Sequence, residues 1–206
     1  MNPTILAVFI PTFFFVSLTP GMCMTLSMTL GMTIGMRRTF WMMYGELVGV
    51  GLVAAASVIG VAAVLLEYPA VFSLIKYLGG FYLGYLGVQM WLSKGRMAID
   101  LNPKASRLSS PLQLALQGFI TAVANPKGWA FFIALLPPFI NGKQPLFTQL
   151  SILLSIILSI EFLCLILYAG GGKTMGHLLQ KKKNVQLLNR IAGTLMISVG
   201  IWLALS

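Results

Sequence analysis

Six long apolar runs occupy most of the chain, at roughly 5–30, 40–66, 69–92, 112–136, 146–170 and 186–205. A helix that crosses a bilayer needs about 20 mainly apolar residues, and each run is long enough. Composition agrees: 58% of the 206 residues are hydrophobic and 9% are charged, against roughly 25% charged in a soluble domain. A soluble core of this length could not hide so much apolar surface, so membrane lipids must cover the rest. The predicted fold is all-α, a polytopic membrane protein of about six transmembrane helices.

The formal net charge is +10. Nucleic-acid binding would need a basic face on a folded domain. Here the Lys and Arg residues fall instead in short gaps between apolar runs, where anionic lipid headgroups attract them. Arg37 and Arg38 follow the first run; Lys94, Arg96, Lys104 and Arg107 follow the third; Lys173, Lys181, Lys182 and Lys183 follow the fifth. The opposite side carries only Lys143. The bias of Lys and Arg toward cytoplasmic loops then predicts an inner-membrane protein with both termini periplasmic. The first 36 residues contain no Lys or Arg. A secretory leader starts with a basic segment, so residues 5–30 are expected to be a retained first helix.

The chain reads as one transporter domain, 1–206, with two alike halves. LIKYLGGFYLGYLGVQMWL, from Leu74, and LLNRIAGTLMISVGIWLAL, from Leu187, lie in register so that Gly80 falls on Gly193 and Gly87 on Gly200. FVSLTPGM places Pro20 where AVANPKGW places Pro126. Repeat one covers about 1–92 and repeat two about 112–206, joined by a polar cytoplasmic loop at about 93–111. Three helices per copy is an odd number, so the copies insert in opposite senses, giving two inverted three-helix repeats.

Within these runs stand two helix breakers. Thr19-Pro20-Gly21 lies in the first and Asn125-Pro126-Lys127 in the fourth. Proline removes a backbone donor, and in lipid the freed carbonyls must find other partners. A packing kink accounts for one such break; a break at matched places in both halves points to a midplane substrate site. Lys127 lies about fifteen residues into its run. It either snorkels to an interface or meets a carboxylate near the break.

Only four acids exist. Asp100 in the long loop and Glu67 beside Pro69 read as solvated. Glu46 and Glu161 fall inside apolar runs, where an acid must be paired, hydrated or neutral. Such a carboxyl group can take up and release a proton. Glu46 could equally pair with Arg37 or Arg38 near an interface, and Glu161 could partner Lys127. Gly31/Gly35, Gly45/Gly49 and Gly80/Gly84 have the spacing of close helix contacts. The 12 Met residues read as adaptable packing.

Other chemistries find little support. Cys23 and Cys164 form no CxxC pair and read as buried thiols. Gly170-Gly171-Gly172-Lys173-Thr174 ends like a phosphate loop, but Leu167 stands where its first glycine belongs. His177 is the single histidine and lies in a basic gap. No intramembrane His, Asp or Cys cluster suits metal export, and no Ser/His or paired-aspartate arrangement suits an intramembrane enzyme. No cofactor is expected. A channel or carrier for another small solute or ion stays open on these grounds.

Three stretches taken together resemble the RhtB/LysE family of bacterial amino-acid exporters, above all its homoserine/threonine-efflux branch: LTPG (Leu18 to Gly21), GGFYLGYLGVQMW (Gly79 to Trp91) and ANPKGWAFFIALLPPFI (Ala124 to Ile140). Two departures stand out. The family usually has PGP followed by a polar residue, where this chain has Met22-Cys23-Met24 after Pro20-Gly21, and its helix-2 acid is often Asp, here Glu46. The resemblance implies efflux of small amino acids or derivatives, such as homoserine, threonine, homoserine lactone or leucine, by exchange with protons. The expected substrate site lies between Thr19-Pro20-Gly21 and Asn125-Pro126-Lys127. Lys127 and exposed backbone N–H groups would hold a carboxylate there. Glu46 is the first expected proton carrier and Glu161 the second. The oligomeric state is left open, a homodimer included.

Overall fold

A computed structural model of the chain describes residues 3–67, 69–93, 110–136, 140, 145–172, 179 and 181–205. Among these residues the regular structure is entirely helical, with eight helices of ten or more residues. They are α1 (Pro3–Leu18), α2 (Met22–Ile34), α3 (Met36–Glu67), α4 (Pro69–Leu92), α5 (Pro111–Val123), α6 (Pro126–Leu135), α7 (Leu146–Gly170) and α8 (Lys182–Leu205).

Proline marks where helices begin. α3 ends at Glu67 and Pro69 opens α4. Ser110 caps α5 through a reciprocal pair with Gln113, and Pro111 sits just inside. Proline suits this position because its missing N–H would have had no helical partner there. Between α2 and α3 the chain has a single residue, Gly35, at φ +80°. That left-handed region is open to glycine at no steric cost, so two helices can meet there with no loop.

The expected first and fourth spans are each two helices. α1 and α2 are bent by 55° at Thr19–Gly21; α5 and α6 part at Ala124–Asn125. Three helices among the described residues are long and apolar enough to cross a membrane, within 36–60, 146–170 and 182–202, and the bent pair makes a fourth. The expected loop at 93–111 lies outside the described residues beyond Ser93 and Ser110. So do Asp100, Lys143, Lys173, His177 and the side chain of Glu67.

Apolar side chains cover the outside of the molecule as well as fill its core. Phe81, Phe147 and Leu92 face outward while Glu46, Glu161, Gln149 and Asn189 are buried. A soluble surface exposes charges instead, whereas lipid makes no demand for them. Serine and threonine within the helices fold their hydroxyls back onto carbonyls one turn earlier. Thr25, Thr29 and Thr33 do so on α2 and Ser151, Ser155 and Ser159 on α7, which satisfies each donor without water.

Helices meet where glycines let backbones close. α4 and α8 pack along their length. A Cβ on Gly87 would lie 2.6 Å from the carbonyl oxygen of Gly193, and one on Gly200 2.6 Å from that of Gly80. Gly45 and Gly49 of α3 press on α5 at Ala115, Phe119 and Ala122, and Gly118 of α5 presses back on Met42. Gly31 of α2 meets the backbone of Ala169 on α7. The expectation that these glycines serve packing holds for Gly31, Gly45, Gly49 and Gly80 but not for Gly35 and Gly84, where a Cβ would meet nothing within 4 Å; Gly35 makes the turn between α2 and α3 instead. The broken helix α5/α6 packs on α3, and the broken helix α1/α2 packs on α7.

Candidate functional site

At the first break Pro20 has no N–H to offer the carbonyl of Val16, four residues earlier, and the chain leaves the helix at Thr19. The freed oxygens are satisfied from other helices. Lys127 Nζ donates to Val16 O at 3.2 Å, and Tyr168 Oη donates to Leu18 O at 2.7 Å. Thr19 turns its own hydroxyl back to Phe15 O at 2.8 Å. Phe15 O and Val16 O also accept the N–H of Thr19, at 3.1 and 3.3 Å, whereas a carbonyl such as Leu18 O would cost about 1–3 kcal/mol if left buried and unpaired.

At the second break the side chain of Asn125 accepts the N–H of Lys127 at 3.1 Å and so caps α6, with Pro126 at its first position. The cap turns the first residues of α6 away from α5 and frees Val123 O. Trp129 Nε1 takes that oxygen at 2.8 Å. Asparagine is a strong cap because its side-chain oxygen replaces a lost turn of backbone bonding.

Between the breaks lies a pocket of about 70 Å³. Ser17, Cys23, Glu46, Asn125, Lys127 and Glu161 supply its polar wall, and Phe13, Val16, Val50, Val53, Phe131 and Phe132 its apolar wall. Phe13 stacks against Phe132 with centroids 5.9 Å apart. Ser17 Oγ donates to Glu161 Oε2 at 2.6 Å. Glu46 is fully buried, with the Glu161 carboxyl and the Cys23 thiol within hydrogen-bonding reach, and neither of its carboxyl oxygens receives a bond from an amide, hydroxyl or amine among the described residues. The volume is well below the ~150 Å³ of a cavity that admits benzene, so the site is contracted. A second cavity of about 340 Å³ adjoins it, sharing Thr19, Lys127 and Phe131 as walls and reaching toward Ser93 and Asn189.

Every residue singled out from the sequence as a site candidate is at or beside this place. Thr19, Gly21, Asn125, Lys127, Glu46 and Glu161 line the pocket, and Pro20 lines the adjoining cavity. Pro126 makes no wall of either; it sets the start of α6. One alternative falls away. Arg37 and Arg38 are exposed at the start of α3, about two turns from buried Glu46, and so do not pair with it. Lys127 is half-buried within the bundle and bonds a helix carbonyl. Its charge and that of Glu161 are close enough to interact across the pocket, and Ser17 bonds one oxygen of Glu161.

Ser17 and Tyr168 were not foreseen at the site. Cys23 and Cys164 are buried free thiols, as expected. The available signal for Ser17 was helical spacing from the break, three residues before Pro20. Tyr168 is far off in sequence and left none.

A helical membrane protein whose two broken helices meet at a buried polar pocket has the build of a carrier. The LysE type translocator model matches residues 14–206, and the chain belongs to that family. It is similar to the homoserine/homoserine lactone efflux protein of Salmonella typhimurium, 28% identical over 189 residues that cover 92% of this chain and 90% of the relative. Its counterpart in Salmonella typhi is 29% identical over 160 residues, 78% of this chain and 76% of that one. The leucine efflux protein of Salmonella choleraesuis is 26% identical over 166 residues, 78% and 76% of the two chains. No solved structure matches the chain.

Proposed function

We propose that this protein exports small amino acids or their derivatives from the cytoplasm across the inner membrane, in exchange for protons. One observation carries the proposal: both helix breaks, the cation Lys127 and the acids Glu46 and Glu161 converge on one buried pocket. The relatives' names supply the substrate class. Homoserine, homoserine lactone and leucine share an α-amino group, and the pocket offers carboxyl groups to meet it. Where a substrate has a free carboxylate, Lys127 and the N–H groups at the start of α2 and α6 would hold it.

The architecture proposed is six spans in two inverted repeats, with both termini periplasmic. Its support is reciprocal packing. In the register that sets Gly80 on Gly193 and Gly87 on Gly200, exchanging the halves turns the Gly80–Gly200 contact into the Gly193–Gly87 contact. Each broken helix likewise packs on the long second helix of the opposite half. Alternating access would rock one half against the other about the pocket, and the adjoining cavity near Ser93 would then open to the cytoplasm. Glu46 is the first proton carrier and Glu161 the second.

Purified protein in vesicles loaded with radiolabelled leucine, homoserine or homoserine lactone tests this. An acidic outer medium should speed efflux of at least one of the three above protein-free vesicles. No acceleration of any of them would defeat the proposal.

A further inference from the structure

We infer that Glu46 is the residue that reads the substrate's α-ammonium group, and that this ammonium and the coupling proton are alternative occupants of its carboxyl. The inference rests on the export function proposed above and adds the atom at which exchange happens.

The geometry singles Glu46 out. In the pocket Lys127 is held by Val16 O, Glu161 by Ser17 Oγ, and the Asn125 side-chain oxygen by the N–H of Lys127. Both oxygens of Glu46 are out of contact with water and receive no hydrogen bond from an amide, hydroxyl or amine among the described residues; only the Glu161 carboxyl and the Cys23 thiol lie within hydrogen-bonding reach. A bare carboxylate in such a place costs several kcal/mol. The contracted site therefore needs a proton on Glu46, and an opened site needs a cation there.

Other charged groups leave it that role. Glu161 on α7 and Cys23 on α2 flank Glu46, Cys164 on α7 stands near enough to feel its charge, and Lys127 on α6 lines the same pocket. α1 and α5 carry no ionisable side chain. On α3 itself Arg37, Arg38 and Tyr44 face outward, as do Tyr77, Tyr82 and Tyr85 on α4, whose Lys76 side chain is not described. Lys127 is the wrong charge for an ammonium. Glu161 is already bonded, and a second carboxylate beside the first favours a single negative charge shared between them.

Exchange then balances. A substrate ammonium enters from the cytoplasmic side and the Glu46 carboxyl gives up its proton to that side. The carboxylate pairs with the ammonium. On the far side a periplasmic proton replaces the ammonium, and the substrate leaves. One proton moves in for each substrate moved out at this carboxyl.

Proton release on binding is the test, measured with purified protein in weakly buffered detergent solution, alongside direct binding of the probes. The probes are L-leucine, L-homoserine lactone, L-leucinol, and 4-methylpentanoate, which is leucine without its amino group. Leucine and at least one of the two carboxyl-blocked amines should bind and release about one proton each, and leucine affinity should fall about tenfold per pH unit in the acid range. 4-Methylpentanoate should bind at least tenfold more weakly than leucine. Glu46→Gln should bind leucine more weakly, with no release and no such pH dependence, while Glu46→Asp keeps the release and so guards against misfolding. Release from Glu46→Gln equal to wild type, binding of leucine without release, or tight binding of 4-methylpentanoate would each overturn the inference while leaving export intact. Failure of every amine to bind or be exported would instead remove the export function beneath it.

Discussion

The Lys127 amine of α6 and the Val16 carbonyl of α1 are joined by a 3.2 Å hydrogen bond that ties one helix break to the other. Pro20 leaves that carbonyl without its usual helical partner; the N–H of Thr19 reaches it at 3.3 Å, and Lys127 adds a second donor from another helix. A bond from a charged donor is worth about 1.5–3 kcal/mol, so the contracted pocket is latched by a residue that a substrate carboxylate can compete for.

Lys127→Met keeps the unbranched apolar stem of the side chain and removes the terminal amine and its charge. The variant should insert and fold yet lose efflux of free amino acids by tenfold or more, since each 1.4 kcal/mol of lost interaction is a factor of about ten. Vesicle efflux of leucine, normalised to inserted protein, measures it. Wild-type rates would exclude Lys127 from the transport cycle.

Glu46→Gln keeps shape and hydrogen bonding but cannot ionise. It should lose efflux driven by a pH gradient, yet still exchange leucine for leucine at saturating concentration. Measuring both modes in the same vesicles separates coupling from folding, because a misfolded protein fails in both. Should Glu46→Gln still pump uphill as fast as wild type, the proton passes through Glu161 or elsewhere.

The α4–α8 contact gives a stability prediction with its own control. Gly87→Ala puts a methyl group 2.6 Å from Gly193 O and 2.7 Å from Ile197 Cγ1, so the helices must part. That should cost about 1–3 kcal/mol, typical of overpacking, and appear as a lowered thermal unfolding temperature in detergent. A Cβ on Gly84 would meet nothing within 4 Å. Gly84→Ala should therefore be neutral or slightly stabilising. Equal losses at both sites would remove Gly87 from the contact.

Orientation follows from ten Lys and Arg residues in alternate gaps against Lys143 opposite. A reporter active only in the periplasm should work when fused after Ser206 and stay silent at Ser109. The reverse pattern, or a cytoplasmic C-terminus, would overturn both orientation and span count.

The sequence by itself determined the helical character of the chain and where the first and fourth runs break, but not every boundary: the gap expected at 31–39 is the single residue Gly35 between α2 and α3. Apolar length, proline and asparagine capping act within a few residues, so local order is enough to read helices and breaks. The positions of Glu46 and Glu161 inside apolar runs likewise marked them as unusual, because an acid in lipid always needs an explanation. Only the tertiary structure decided what those groups face. That Glu46 turns from Arg37 and Arg38 depends on Gly45, Gly49 and Gly118, which draw α3 against α5 and seat Glu46 in the pocket. Lys127 meets a carbonyl 111 residues away, and Tyr168 one 150 residues away. Charge and hydropathy carry no record of such pairings, because they arise when helices distant in sequence pack and each freed backbone oxygen takes the nearest donor.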